Sequence, residues 1–108
     1  MEKKMYGLGA SKGIFEGRVK IVKNTSDFSK VESGDVVVVY SSSPAWTIPM
    51  LKSGALISEV GGIICHTAIV AREMGIPCVV GVPNVINEVN DNDKVKVDGE
   101  AGEIYVLR

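Results

Sequence analysis

The sequence has one histidine, one tryptophan and two cysteines among its 108 residues, and each shortage closes off a class of function. Cys65 and Cys78 are too few for the disulfide framework of a small secreted domain, and as a pair they lack the further ligands of a zinc site. We read both as buried thiols and expect a cytoplasmic protein. An excess of charge is lacking too: 12 Lys and Arg stand against 13 Asp and Glu, a net charge of -1. Nothing therefore draws the chain over long range to nucleic acid or to an anionic membrane, and any anion site must be local. No apolar run is long enough to span a bilayer. Residues 1–6, which include Lys3 and Lys4, run into Gly7 and Gly9 rather than into the apolar core of a signal peptide.

What is present suits one compact domain over residues 1–108, with 45% apolar residues to build its core. Residues 17–23 alternate polar and apolar, as a half-buried strand does. Residues 35–40, 55–58 and 78–80 are apolar on both faces, as central strands are. Residues 94–97 and 104–107 alternate again and read as a hairpin turned at Asp98-Gly99. Short helices are expected over 46–52, with Pro49 in the first turn, and over 66–74, stopped by Gly75 and Pro77. Residues 7–13 read as an irregular arm, 24–34 as turns and 83–92 as a polar connection. The fold class is α/β, a mixed central sheet with short helices and a β subdomain.

Chemistry concentrates in Gly61-Gly62-Ile63-Ile64-Cys65-His66-Thr67, where a strand passes through a glycine pair into a helix. On a helical wheel Thr67, Ala68, Val70, Ala71 and Met74 form one stripe, while His66, Ile69 and Glu73 lie opposite. His66 is thus expected to be exposed at a helix start. There the free N–H groups disfavour imidazolium and favour a bound anion, by roughly 0.3 to 1 kcal/mol at an exposed site. A ring nitrogen kept unprotonated is nucleophilic, and the same N–H groups then stabilise a phosphate it has acquired. Gly61 and Gly62 either let the backbone approach the transferred group or simply make a tight turn. Thr67 either offers its hydroxyl to the phosphate or packs in the first turn. Arg72 either clamps an anion or docking partner or serves the surface. Ile69 has no core to enter from this helix, so we read it as part of a docking surface. Trp46 is read as core packing, and Cys65, adjacent to His66 in sequence, is not expected to form a nucleophilic pair with it.

The series Gly61-Gly62, Cys65-His66, Ala68-Ile69, Ala71-Arg72, Gly75-Ile76-Pro77 and Val79-Val80-Gly81 resembles the mobile phosphohistidine domain of phosphoenolpyruvate (PEP)-utilising enzymes. That family includes phosphoenolpyruvate synthase (pyruvate, water dikinase), pyruvate phosphate dikinase and enzyme I of the sugar phosphotransferase system, and Cys before His is similar to the synthase branch. Gly17-Arg18-Val19, Ser43-Pro44-Ala45-Trp46 and Val97-Asp98-Gly99 extend the similarity to nearly the whole chain. The resemblance implies a swivelling β/β/α domain whose catalytic His66 is phosphorylated, usually on Nε2, within a phosphotransferase or dikinase. It implies no cofactor on this domain, with Mg2+, ATP and phosphoenolpyruvate or pyruvate on partner domains or subunits. Its start at Met1 and its end just after the last strand suit a separate carrier subunit or an excised domain.

The chain departs from the family at three places. Ile64 stands where many relatives have Thr, Ile63 where Arg or Met is common, and Thr67 where Ala is usual. The first departure removes a hydroxyl from the site and a regulatory phosphorylation point, and Thr67 supplies a hydroxyl nearby. An alternative reading follows from the same residues: a non-catalytic interaction module with a vestigial histidine, whose patch is Ile63, Ile64 and Ile69.

Overall fold

The computed structural model describes residues 2–107. A four-residue apolar run such as Val36-Val37-Val38-Val39 is stable as a strand only if both its faces are covered, because alternate side chains point to opposite sides. Strand β4 (Val36–Val39) meets that condition: Val36 and Val38 enter one core, Val37 and Val39 another. Strands β5 (Ala55–Ser58) and β6 (Cys78–Val80) divide their side chains between the same two cores.

These strands form a parallel set, β3-β4-β5-β6, edged by β2 (Leu8–Ser11) running antiparallel to β6. Strand β3 (Ile14–Val22) is nine residues long and serves two sheets. Its second half pairs with β4, and its first half pairs antiparallel with β7 (Lys94–Asp98), which pairs with β8 (Glu103–Leu107), which pairs with β1 (Glu2–Tyr6). The antiparallel sheet covers one face of the parallel one through Val95, Val97, Ile104 and Val106. Helix α2 (His66–Met74) covers the other through Ala68, Val70 and Ala71, beside Met50 of helix α1 (Thr47–Met50) and Phe28 of the 3-10 turn Thr25–Lys30. The result is the three-layer β/β/α arrangement that the family resemblance implied.

Strand β5, helix α2 and strand β6 fall on the residues expected for them. Other segments do not: the helix expected over 46–52 is the four-residue α1, preceded by a 3-10 turn over Pro44–Trp46. Residues 7–13 contain β2 rather than an irregular arm, and residues 2–6, given no element above, form the edge strand β1. Glycine and alanine carry little strand propensity, which hid β2. At Gly9 that composition has a steric cause: an added Cβ would sit 2.4 Å from the carbonyl oxygen of Gly99. The polar connection over 83–92 also contains one helical turn, α3 (Val85–Glu88). Of the two thiols only Cys78 is buried, while Cys65 is half-exposed. Trp46 packs edge-on against Phe28, with ring centroids 5.3 Å apart, as expected for a core contact.

Candidate functional site

Parallel strands deliver their C-terminal ends to one edge of a sheet, and the loops leaving that edge are free to carry chemistry. The loop after β4 supplies Ser41–Ser43 and leads into α1; the loop after β5 supplies residues 59–65 and leads into α2. Two segments far apart in sequence are thus brought together at the start of α2.

The second loop turns tightly. Gly61 has φ +121°, a region that favours glycine, and a Cβ there would lie 2.7 Å from Cys65 Sγ. Gly62 is exposed, and an added Cβ would meet nothing within 4 Å, so its neighbours place no steric demand on it. Cys65 N–H donates to the Gly62 carbonyl at 3.1 Å, and the Cys65 carbonyl accepts the first helical bond, from Ile69 N–H, at 3.0 Å. No side chain caps α2, so the N–H groups of its first turn remain open to a ligand. Gly75 closes the helix with its N–H on the carbonyls of Ala71 and Arg72.

His66 is half-buried, not fully exposed as its place on the wheel suggested, and both its ring nitrogens have hydroxyl partners. Ser42 Oγ lies 2.7 Å from Nδ1, and Thr47 Oγ1 lies 2.8 Å from Nε2. Ser42 Oγ is in turn 2.6 Å from Thr67 Oγ1. The ring is therefore clamped from two sides, with a chain of hydroxyls running inward from Nδ1 to Thr67, which is 1% exposed. Thr67 reaches His66 through Ser42. Ser42 and Thr47 had no local signal in the sequence: they precede His66 by 24 and 19 residues, and Ser41-Ser42-Ser43 reads as the end of a strand.

Arg72 is exposed and spends its guanidinium on structure, donating to the Ala10 carbonyl at 2.8 Å and the Ile63 carbonyl at 2.5 Å. It ties α2 to β2 and to the loop before His66. Cys78 lies under α2, and burial, helped by the nearby Cys65 thiol, pushes its pKa up to about 12 against the opposing pull of Arg72, so it stays a neutral thiol.

The segments that carry His66 and its partner Thr47 also carry exposed apolar side chains. Ile69 is 43% exposed, Ile63 and Ile64 precede the helix at 53% and 84%, and α1, whose Thr47 touches the ring, presents Ile48 at 78%. A recess of about 500 Å³ between β2, Arg72 and Gly99 does not include His66. Among the described residues no group of three or more His, Cys, Asp or Glu is placed to hold a metal ion, and no helix is long and apolar enough to cross a membrane.

Comparison with known proteins adds the family. The model described as "PEP-utilising enzyme, mobile domain" matches residues 31–102. The chain is 41% identical over 99 residues to a "Probable phosphoenolpyruvate synthase" of Methanothermobacter thermautotrophicus, covering 92% of this chain and 14% of that protein. It is 40% identical over 101 residues to the "Rifampicin phosphotransferase" of Bacillus cereus, covering 94% and 12%. Among solved structures, an enzyme I (nEIt) solution structure superposes with a TM-score of 0.64 at 38% identity, over 73% of this chain and 33% of that one. The chain thus spans only about one seventh to one eighth of the length of these curated relatives.

Proposed function

The chain belongs to the family of PEP-utilising enzyme mobile domains, and on that premise we propose that it is a phosphoryl carrier in which His66 takes and passes on the phosphate. The observation that carries this reading is the two-sided hydroxyl clamp on the imidazole, set at an uncapped helix start. The lone pair of Nε2 attacks the phosphorus of a donor. An N–P bond forms, the P–O bond to the leaving group breaks, and that group departs with the electron pair. Thr47 gives up its contact with Nε2 as the phosphoryl group arrives. The open N–H groups of α2 then face the new dianion, and Gly61 lets the loop turn close beside it. Transfer to an acceptor runs the same steps backwards.

The side chains bonded to His66 are hydroxyls and none is a carboxylate, so the donor set here does not suit Mg2+. In this reading the metal and the ATP, phosphoenolpyruvate or pyruvate sites belong to partner domains or subunits, and the carrier turns over nothing alone. Phosphoryl transfer needs positioning and charge neutralisation that one imidazole on a small domain does not supply. Ile48, Ile63, Ile64 and Ile69 form the surface that meets those partners. The acceptor is pyruvate-like or, as the rifampicin relative suggests, another hydroxyl compound.

The high exposure of Ile64 also favours a second reading, an interaction module whose histidine is never phosphorylated. Intact-mass measurement separates the two. The chain is incubated with ATP or phosphoenolpyruvate and candidate partner domains. Gain of one phosphoryl group, lost in His66→Ala, is the carrier's result; partner binding with no mass gain is the module's.

A further inference from the structure

Resting on the carrier reading, we infer that Ser42 is a positioning residue: its hydroxyl, anchored on Thr67, holds the proton of His66 on Nδ1 and so leaves the lone pair on Nε2.

Neutral imidazole carries one N–H, and the partner of each nitrogen decides which nitrogen has it. Two tautomers satisfy the observed distances. In the first arrangement Nδ1–H donates to Ser42, the Ser42–Thr67 bond runs in either direction, and Thr47 donates to the lone pair of Nε2. In the second Thr67 donates to Ser42, Ser42 donates to the lone pair of Nδ1, and Nε2–H donates to Thr47. The surroundings of the two nitrogens are unequal. Nδ1 faces a hydroxyl 2.7 Å away that is itself held 2.6 Å from the buried Thr67, so a phosphoryl group bound for Nδ1 must displace an anchored side chain. Nε2 faces Thr47, whose side chain has no second hydrogen-bond partner among the described residues and which stands next to Ile48, 78% exposed. An incoming group reaches Nε2 by turning one half-buried side chain aside. The first arrangement is thus the one in which the reachable nitrogen is also the nucleophilic one.

A hydroxyl suits this role where a carbonyl does not. As the N–P bond forms at Nε2 the ring becomes positive, and Nδ1–H still donates to Ser42. If that proton then leaves to solvent, Nδ1 has a lone pair, and the same serine rotates its O–H to donate to it. A carbonyl accepts only, and would be left facing a lone pair. Ser42 therefore keeps a hydrogen bond to the ring through both protonation states of the phosphorylated form.

The test needs no partner domain, because phosphoramidate is a small donor that phosphorylates imidazoles directly, releasing ammonia. The full chain, Ser42→Ala and Ser42→Thr are each treated with phosphoramidate, and the phosphorylated nitrogen of His66 is assigned by NMR on protein labelled with 15N in the imidazole. The neutral tautomer is read from the same 15N shifts before treatment. The parent chain is expected to carry its proton on Nδ1 and to be phosphorylated on Nε2. Ser42→Ala is expected to mix the tautomers and to yield the Nδ1 isomer beside the Nε2 isomer, and Ser42→Thr to restore the single product. A loss of packing alone would change neither the tautomer nor the isomer. If Ser42→Ala matches the parent in both, the positioning role is wrong while the carrier reading stands. If the parent chain takes no phosphate on His66, both are wrong.

Discussion

Isoleucine occurs in two opposite settings in this molecule. Ile57 and Ile104 lie between the sheets with no exposed surface, whereas Ile48 and Ile64, beside His66, are 78% and 84% exposed. The side chain is the same, so the difference is one of role. The first pair removes apolar surface from water and contributes to folding, on the order of 1.5 to 3 kcal/mol for each fully buried side chain. The second pair leaves its surface in water and contributes little to the fold. Apolar surface left exposed around a half-buried histidine is what an association surface requires.

This contrast is broken most severely from the inside. Lys20 and Asp35 are both buried and paired at 3.1 Å, with Asp35 also accepting the Glu32 N–H at 2.8 Å. Asp35→Ala strands the ammonium of Lys20 and should cost about 3 to 5 kcal/mol, read as a loss of denaturant midpoint. Ile57→Ala opens a cavity in the inter-sheet core and should cost about 2 to 5 kcal/mol by the same measurement. At the rim the expectation reverses. Ile64→Asp and Ile69→Asp should each change stability by less than about 0.5 kcal/mol, while slowing phosphoryl exchange with the partner enzyme. If either melts the fold as Ile57→Ala does, the division between interior and rim fails; if both exchange at the parent rate, the rim is no docking surface.

The smallest effect concerns acid stability. Burial pushes the Asp91 carboxyl up, but Lys30, at 2.7 Å, and the Ile21 N–H, also at 2.7 Å, outweigh it and hold the pKa below the usual carboxylate value. A depressed pKa gives stability that is present above the unfolded value, about 3.9, and lost as pH falls through the folded one. Asp91→Asn should remove part of that acid-side slope and leave the rate of exchange untouched. An unchanged slope would show that this exposed pair contributes nothing measurable.

The sequence disclosed what is written locally. Residues 55–58 and 78–80 are apolar on both faces because both faces are covered, and residues 66–74 carry a one-sided stripe with a glycine stop, so these elements were legible to the residue. Strand β2 was not, since its one glycine, Gly9, answers to the turn at Gly99, some ninety residues on. The site divided in the same way. Gly61, the histidine and the helix start lie in one segment and could be read together, whereas the hydroxyls of Ser42 and Thr47 arrive by a parallel crossover that no local pattern encodes. Thr67 was open to two readings, a contact for an anion or packing in the first turn; it is buried, with its hydroxyl on Ser42.

The central claim is that His66 itself holds the phosphate. It is tested most directly by incubating the chain and His66→Ala with radiolabelled ATP or phosphoenolpyruvate and the partner domains, then dividing each sample between acid and base. A phosphoramidate on His66 predicts label that survives base, is lost in acid and is absent from His66→Ala. Label that survives acid, or that persists in His66→Ala, would contradict it.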